Sequence, residues 1–347
     1  MRQRRLYFVV LVLILLAACT NDKTDEQSNN DAEEQQLQPK KSKEPEIYPL
    51  TGIGTDRAAD NRIVGVMVNN HQEARPQSGL SKADIVFEIL AEGSITRFLA
   101  LFQSEQPDVV GPVRSAREYY ANLADGYGAL YVYHGAADFI DDMIATWGIE
   151  HLNGSVYDND GRLFKRVDFR AAPHNSYLQF AEVYDVAEQN GYSIEMNYEP
   201  LPFLTDAERV DIPGDDAGHV EVIYSESPAN MVEFAYDEHD GVYTRYSNRE
   251  KTVERQTNEP VQVDNILIVE TPHQTIDDAG RREIDLESGG DGFLIQRGKA
   301  RHVQWQNKDG RIIPMENGEP VGFVPGKTWV NVVPTEPGMK QSVTISD

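Results

Sequence analysis

Cysteine is almost absent: the 347-residue chain has one, Cys19. Whatever folds after it has no disulfide, no thiol nucleophile and no cysteine-based metal cluster. A chain of this length does without cross-links because it buries a large core. Positive charge is also scarce, with 32 Lys and Arg against 57 Asp and Glu and a formal net charge of −25. Such a surface repels the phosphates of nucleic acid and offers no polybasic membrane patch. Long apolar runs are missing except Leu6–Ala18, whose 13 residues fall short of the about 20 that cross a bilayer. His-x-x-x-His, His-Glu-x-x-His and Gly-rich phosphate loops do not occur. The Gly-x-Ser-x-Gly nucleophile elbow is missing too, so Ser115 is not placed as a nucleophile. Asp158-Asn159-Asp160-Gly161 opens like a calcium loop but lacks the glutamate that closes one. No metal and no cofactor are expected.

What is there begins with Arg2, Arg4 and Arg5, then the apolar run, then small residues before Cys19. That order makes a secretory signal. Leu16-Ala17-Ala18-Cys19 resembles the lipobox of bacterial lipoproteins. The resemblance implies cleavage before Cys19, diacylglycerol on its sulfur and further acylation of the new N-terminus. Residues 1–18 are therefore read as a signal peptide, whose removal takes the net charge from −25 to −28. Two acyl chains hold a protein on a bilayer where one does not. The expected location is the cell membrane, lipid-anchored, facing outside the cytoplasm. Residues 19–47 are polar and charged and too poor in apolar side chains to fold, so they read as a disordered tether.

Beyond the tether, residues 48–200 alternate strand-length and helix-length patterns, predicting an α/β domain with a mixed sheet. Ile63–Val68, Asp84–Leu90, Phe98–Phe102 and Leu130–Tyr133 read as strands. Helices are predicted over Arg114–Ala124, opened by Pro112, over Asp138–Trp147 and over Ser176–Asn190, closed by Gly191. Residues 201–218, rich in Pro and Gly, read as a linker. Residues 219–347 predict a smaller, mostly-β domain. In it Asp240-Gly241, Asp309-Gly310 and Asn317-Gly318 mark tight turns between alternating segments.

Chemistry-bearing residues gather in the first domain. Asn69-Asn70 end the first strand and are followed by Arg75-Pro76-Gln77-Ser78-Gly79. Asp84, Glu88, Glu92 and Arg97 come next, then Gly111-Pro112-Val113-Arg114-Ser115-Ala116-Arg117, His134-Gly135 and Pro173-His174-Asn175. Strand ends and strand-to-helix loops are where open α/β sheets bind ligands. These stretches resemble the YerB-like lipoproteins, a family of Gram-positive bacteria with an N-terminal and a C-terminal domain of unknown function. The segments carrying the likeness are Val66–Asn70, Arg75–Glu88, Gly93–Phe102, Gly111–Arg117 and Pro173–Asn175, with Gly326-Lys327-Thr328-Trp329-Val330 near the end.

Arg114 and Arg117 are three apart, on one face of the first turn of the predicted helix. Arginines there oppose the helix dipole unless an anion lies with them. They either grip a ligand's phosphate, carboxylate or sulfate or pair with Asp84, Glu88 or Glu92. The candidate ligand-binding set is Asn70, Arg75, Glu88, Glu92, Arg97, Arg114, Arg117, His134, His174 and Asn175. Imidazole is the side chain suited to proton transfer near neutral pH, so His134 and His174 are candidate bases; Asn175 is placed as a helix cap. Three functions follow: binding of an anionic envelope ligand or envelope protein, hydrolysis or transfer on an envelope polymer or lipid-linked phosphate, and service as a structural adaptor.

Overall fold

The structure, a computed structural model, describes residues 46–224 and 230–347. The signal sequence, Cys19 and most of the tether lie outside the described residues. Glu46–Ile47, expected at the tether's end, already pairs with Gly54–Thr55.

The elements that matter here are β1 (Val64–Asn69), β2 (Ile85–Leu90), β3 (Thr96–Phe102), α1 (Glu118–Gly126), β4 (Leu130–Tyr133), α2 (Asp138–Thr146), β5 (His151–Asn153) and α3 (Val183–Gln189). They are followed by β6 (His219–Ile223), β7 (Met231–Asp237), β8 (Val242–Ser247), β9 (Asn265–Thr271), β10 (Gly290–Gln296), β11 (Lys299–Lys308), β12 (Arg311–Glu316), β13 (Thr328–Pro334) and β14 (Val343–Ser346). Strands dominate and helices are few. Among the described residues, no helix is long and apolar enough to cross a membrane.

One large mixed sheet runs in the order β12-β11-β10-β9-β13-β2-β3-β1-β4-β5. β13, from the end of the chain, lies parallel to both neighbours, pairing Trp329 with Ile266 on one side and with Val86 on the other. Sequence halves that read as separate domains thus share one sheet. Their central strands are apolar throughout because both faces are covered. Val64, Val66 and Val68 pack on one face with Phe98, Ala100 and Phe102, while Met67, Leu99 and Leu101 pack on the other. Helices α1 and α2 cover the second face through Tyr119, Tyr120, Leu123, Ile140 and Ile144. The first face is covered by α3 and by a small antiparallel sheet, β8-β7-β6-β14, through Val186, Val220, Val232 and Phe234.

Three local expectations need correction. Residues 112–117 are extended rather than helical: Val113 bridges to Val68, the Arg114 amide donates to the Met67 carbonyl, and α1 begins only at Glu118. A backbone whose donors are taken by a neighbouring strand has none left for a helix turn. The predicted helix over Ser176–Asn190 splits for the same reason, since Ser176–Gln179 pairs as a strand with Val109–Val110 and Phe164–Arg166 before α3 starts. Residues 201–218 are no free linker. Leu201 and Ala217 are buried, Phe203 bridges to Phe323, and Asp215–Asp216 pairs with Lys299 and Ala300. Proline and glycine exclude regular structure there, not contact.

Candidate functional site

β1 and β4 run parallel, and their C-terminal ends release Asn70 and His134 on the same edge of the sheet. Arg97 sits opposite Asn69 in the β1–β3 register. Arg114 is stitched to this edge at both backbone groups, its amide to the Met67 carbonyl and its carbonyl to the His134 amide. From α1, the Tyr119 hydroxyl donates to the Leu90 carbonyl at 2.8 Å, and the Tyr120 hydroxyl lies 2.7 Å from the Arg97 carbonyl. These contacts fix the helix start, and with it Arg117, over the ends of β2 and β3.

Glu88 belongs to the structure rather than to a ligand. Its side chain is fully buried and accepts from Asn70 at 3.2 Å, Thr96 at 2.9 Å, Arg245 Nη2 at 2.8 Å and Trp329 Nε1 at 3.0 Å. Arg245 in turn lies over the Trp329 ring at 4.5 Å. A buried charge is tolerated when its lone pairs are met in this way. Asn70 is held on its other side by Arg75, whose Nε and Nη2 donate to the Asn70 carbonyl at 3.1 and 2.8 Å.

Three arginines crowd the strand ends with one carboxylate between them. Glu92 Oε2 accepts from Arg97 at 2.7 Å, and its other oxygen forms an ion pair with Arg117. Arg97 also donates to the Ser115 carbonyl at 2.9 Å. Asp84 is elsewhere, bound to Gln103 and Ser104. The half-buried Arg114 guanidinium has no hydrogen bond or ion pair among the described residues. Burial, and then the neighbouring charge of Arg97, push its pKa down to about 10, so it stays a cation at neutral pH. Arg97 and Arg117 are shifted down as well, chiefly by burial.

Beside Arg114 lies a histidine pair that the sequence reading half missed. His71 and His174 stack with ring centres 4.8 Å apart, and Glu73 reaches His174 Nε2 at 3.2 Å. Asn69 Oδ1 accepts the His71 amide, which turns Asn69 Nδ2 toward His174 Nδ1 at 2.8 Å. Nδ1 must therefore accept, and the network assigns the proton to Nε2, facing Glu73. Burial, and then the charges of His71 and Arg114, lower the His174 pKa, against a smaller opposing pull from Glu73. His71, Glu73 and His174 place ligand atoms within 4.8 Å of one another. The rings are only 21° from parallel, however, so their in-plane lone pairs do not converge on one ion.

His134 and Asn175 fall into a separate chain. His134 Nε2 is 3.3 Å from Asp158, Asp158 pairs with Arg166 at 2.7 Å, and Arg166 donates to Asn175 Oδ1 at 2.8 Å. Asn175 precedes a strand and caps no helix, contrary to expectation. The expected set thus divides into Asn70 with Arg75 and Glu88, Glu92 with Arg97, Arg114 and Arg117 (His174 adjoining), and His134 with Asn175. Arg245 was missed altogether. Its signal was alternation: Tyr243, Arg245 and Ser247 share the inward phase of β8.

Comparison with known proteins places the chain in a family. Residues 50–193 match the family model described as "Protein of unknown function (DUF3048) N-terminal domain", and residues 220–330 match its C-terminal domain. The chain is 47% identical over 288 residues to "Putative lipoprotein YerB" of Bacillus subtilis (strain 168), covering 82% of this chain and 86% of that protein. A crystal structure of the YerB protein from Bacillus subtilis superposes with a TM-score of 0.80 at 44% identity, covering 87% of this chain and all of that one. The chain is a YerB-like member of the DUF3048 family, with the N-terminal and C-terminal family domains in order.

Proposed function

We propose that the protein is a lipid-anchored lipoprotein of the cell membrane, facing outside the cytoplasm, that binds an anionic ligand at Arg114. The observation that carries the binding half is a charge imbalance. Arg97 and Arg117 share the carboxylate of Glu92 while Arg114 beside them has none, in a chain whose formal net charge is −25. A protein this acidic that keeps a partly dehydrated guanidinium without a carboxylate, at the C-terminal edge of parallel strands, has a place for an oxyanion. The anchoring half rests on the leader and Leu16-Ala17-Ala18-Cys19, and on the name of the Bacillus subtilis relative. Catalysis has less support, because His174 Nδ1 is hydrogen-bonded to Asn69 within the fold.

Calorimetric titration of the mature protein with inorganic phosphate, sulfate and glycerol phosphate tests the site. Arg114→Gln is expected to weaken the anion that binds by roughly 10–100-fold, the worth of a charged hydrogen bond. Equal affinities in the two proteins would remove Arg114 from the site. Anchoring is tested in cells: wild type takes up a palmitate label and Cys19→Ser does not. Label on the Cys19→Ser protein would refute lipidation at that residue.

A further inference from the structure

Arg114 is not alone at its edge of the sheet. Its amide donates to the Met67 carbonyl at 2.9 Å, the Asn69 amide to the Pro112 carbonyl at 2.9 Å and the Val113 amide to the Ser176 carbonyl at 2.8 Å. The segment carrying Arg114 is thus stitched between the end of β1 and the chain just after His174. Asn69 also bonds the His174 ring, which brings the His71–His174 stack beside the arginine. These side chains are within reach of a ligand. The unpartnered Arg114 guanidinium is half-buried, and none of its nitrogens is closed to solvent. His174 keeps 12% of its side chain exposed, His71 keeps more, and Glu73, the acid facing His174, is 73% exposed.

Charge sets the sign of what happens there. Three arginines against the one carboxylate of Glu92 leave an excess of two positive charges. Among the described residues, His71 and Glu73 face His174 from the turn after β1, Arg114 from the 112–117 segment and Arg170 from the loop before the ring. His71, Arg114 and Arg170 oppose a proton on His174, as burial does, while Glu73 favours one. Asn69 opposes it too. Its Nδ2 donates to Nδ1, the nitrogen that would take the proton, so the amide must turn over before the ring is charged. The empty site therefore holds this proton weakly. An anion on Arg114 cancels a charge that repels the proton and adds one that attracts it. A doubly charged oxyanion does this most strongly, and it matches the two uncompensated charges.

With Arg114 taken as the anion site, we infer that the His71–His174 pair is its second half: a doubly charged oxyanion is taken up together with one proton from water, carried on His174. Sulfate, inorganic phosphate and a phosphate monoester share this chemistry. Coupling is reciprocal, so the proton strengthens the anion as much as the anion strengthens the proton. Affinity is highest at acid pH and falls as pH rises through the pKa that His174 has with the anion bound.

Sulfate is the probe, because it stays doubly charged and takes no proton of its own between pH 5.5 and pH 8. Titration calorimetry of the mature protein at pH 6.5, in two buffers of different ionisation enthalpy, counts the protons that accompany it. Wild type should take up about a third of a proton or more per sulfate. Its affinity should drop on the order of tenfold between pH 5.5 and pH 8, the worth of a shift of about one pKa unit. Acetate, with a single charge, should bind more weakly than sulfate. Glycerol 3-phosphate and inorganic phosphate should both bind, and the tighter of the two tells an ester from the free ion. His174→Gln, which keeps an amide toward Asn69, should bind sulfate without proton uptake and with little dependence on pH. A second measurement needs no ligand: the His174 ring resonance, titrated by NMR, should show a higher pKa in Arg114→Gln than in wild type. Equal values there overturn the inference, as does proton uptake that persists in His174→Gln. Sulfate that binds wild type but not Arg114→Gln, and brings no proton, overturns it while leaving the Arg114 site standing. Sulfate that binds both proteins equally, or neither, removes the site and the coupling together.

Discussion

Asp84 shows how a single buried group can set a pH dependence for the whole fold. It is fully buried at the start of β2, where Gln103 and Ser104 amides donate to Oδ2 at 2.6 and 2.9 Å and the Ser104 hydroxyl bonds Oδ1. Burial outweighs those donors and raises its pKa to about 6. The folded state therefore holds this proton more tightly than the unfolded chain, whose carboxyl titrates near the ordinary value of about 4. Its contribution to stability is complete below that value and is lost as pH rises through about 6. A displacement of that size is worth on the order of 3 kcal/mol. Asp158, Glu208 and Glu316 are shifted downward and slope the opposite way, so the effect must be read as a difference. Urea unfolding at pH 4.5 and pH 7.5 should show wild type losing stability relative to Asp84→Asn across that interval. A constant difference between the two proteins would mean that Asp84 titrates normally.

At the level of elements, the sequence was most legible where a pattern and a turn agreed. β4 has the predicted bounds, and α2 ends one residue before the predicted stop. The pairs β7–β8 and β11–β12 turn where Asp-Gly was read, and Asp309 and Gly310 both take positive φ, at 53° and 81°. It was least legible where tertiary pairing overrode a helical pattern. Val113 and Arg114 spend their backbone donors on neighbouring strands, residues 176–179 pair as a strand, and nothing local in their side chains announces a partner far away in sequence. The arginine reading failed and survived in the same place. The helix-dipole argument lost its helix, yet the residue types it singled out did meet at the strand ends, because the strand register puts Arg97 opposite Asn69. Pairing partners were partly legible: Glu92 was among the acids named for the arginines, whereas Glu88 went to Arg245, which spacing alone could not place.

Across the whole molecule, the two family domains are held by one strand more than by any linker. β13 lies between β9 and β2, so each half of the large sheet is completed by a segment from the far end of the chain. Its Trp329 is fully buried, meeting Phe98 of the first domain at 5.1 Å and Phe234 of the second at 6.3 Å. The same indole donates to Glu88, and Arg245 lies across its face. A second contact joins the halves where Gly126, ending α1, meets the Asp309-Gly310 turn so closely that a Cβ on Gly126 would collide with the Gly310 backbone. Halves that share a sheet and one buried tryptophan cannot unfold independently, since losing either exposes the edge of the other. Scanning calorimetry of the mature protein is therefore expected to give one transition. Trp329→Ala should lower it as a unit, by about 3–5 kcal/mol for an aromatic removed from a packed core and more where the Glu88–Arg245 pair is disturbed. Two resolved transitions, with Trp329→Ala moving only one, would show that the halves are stabilised separately and that the shared strand does not couple them.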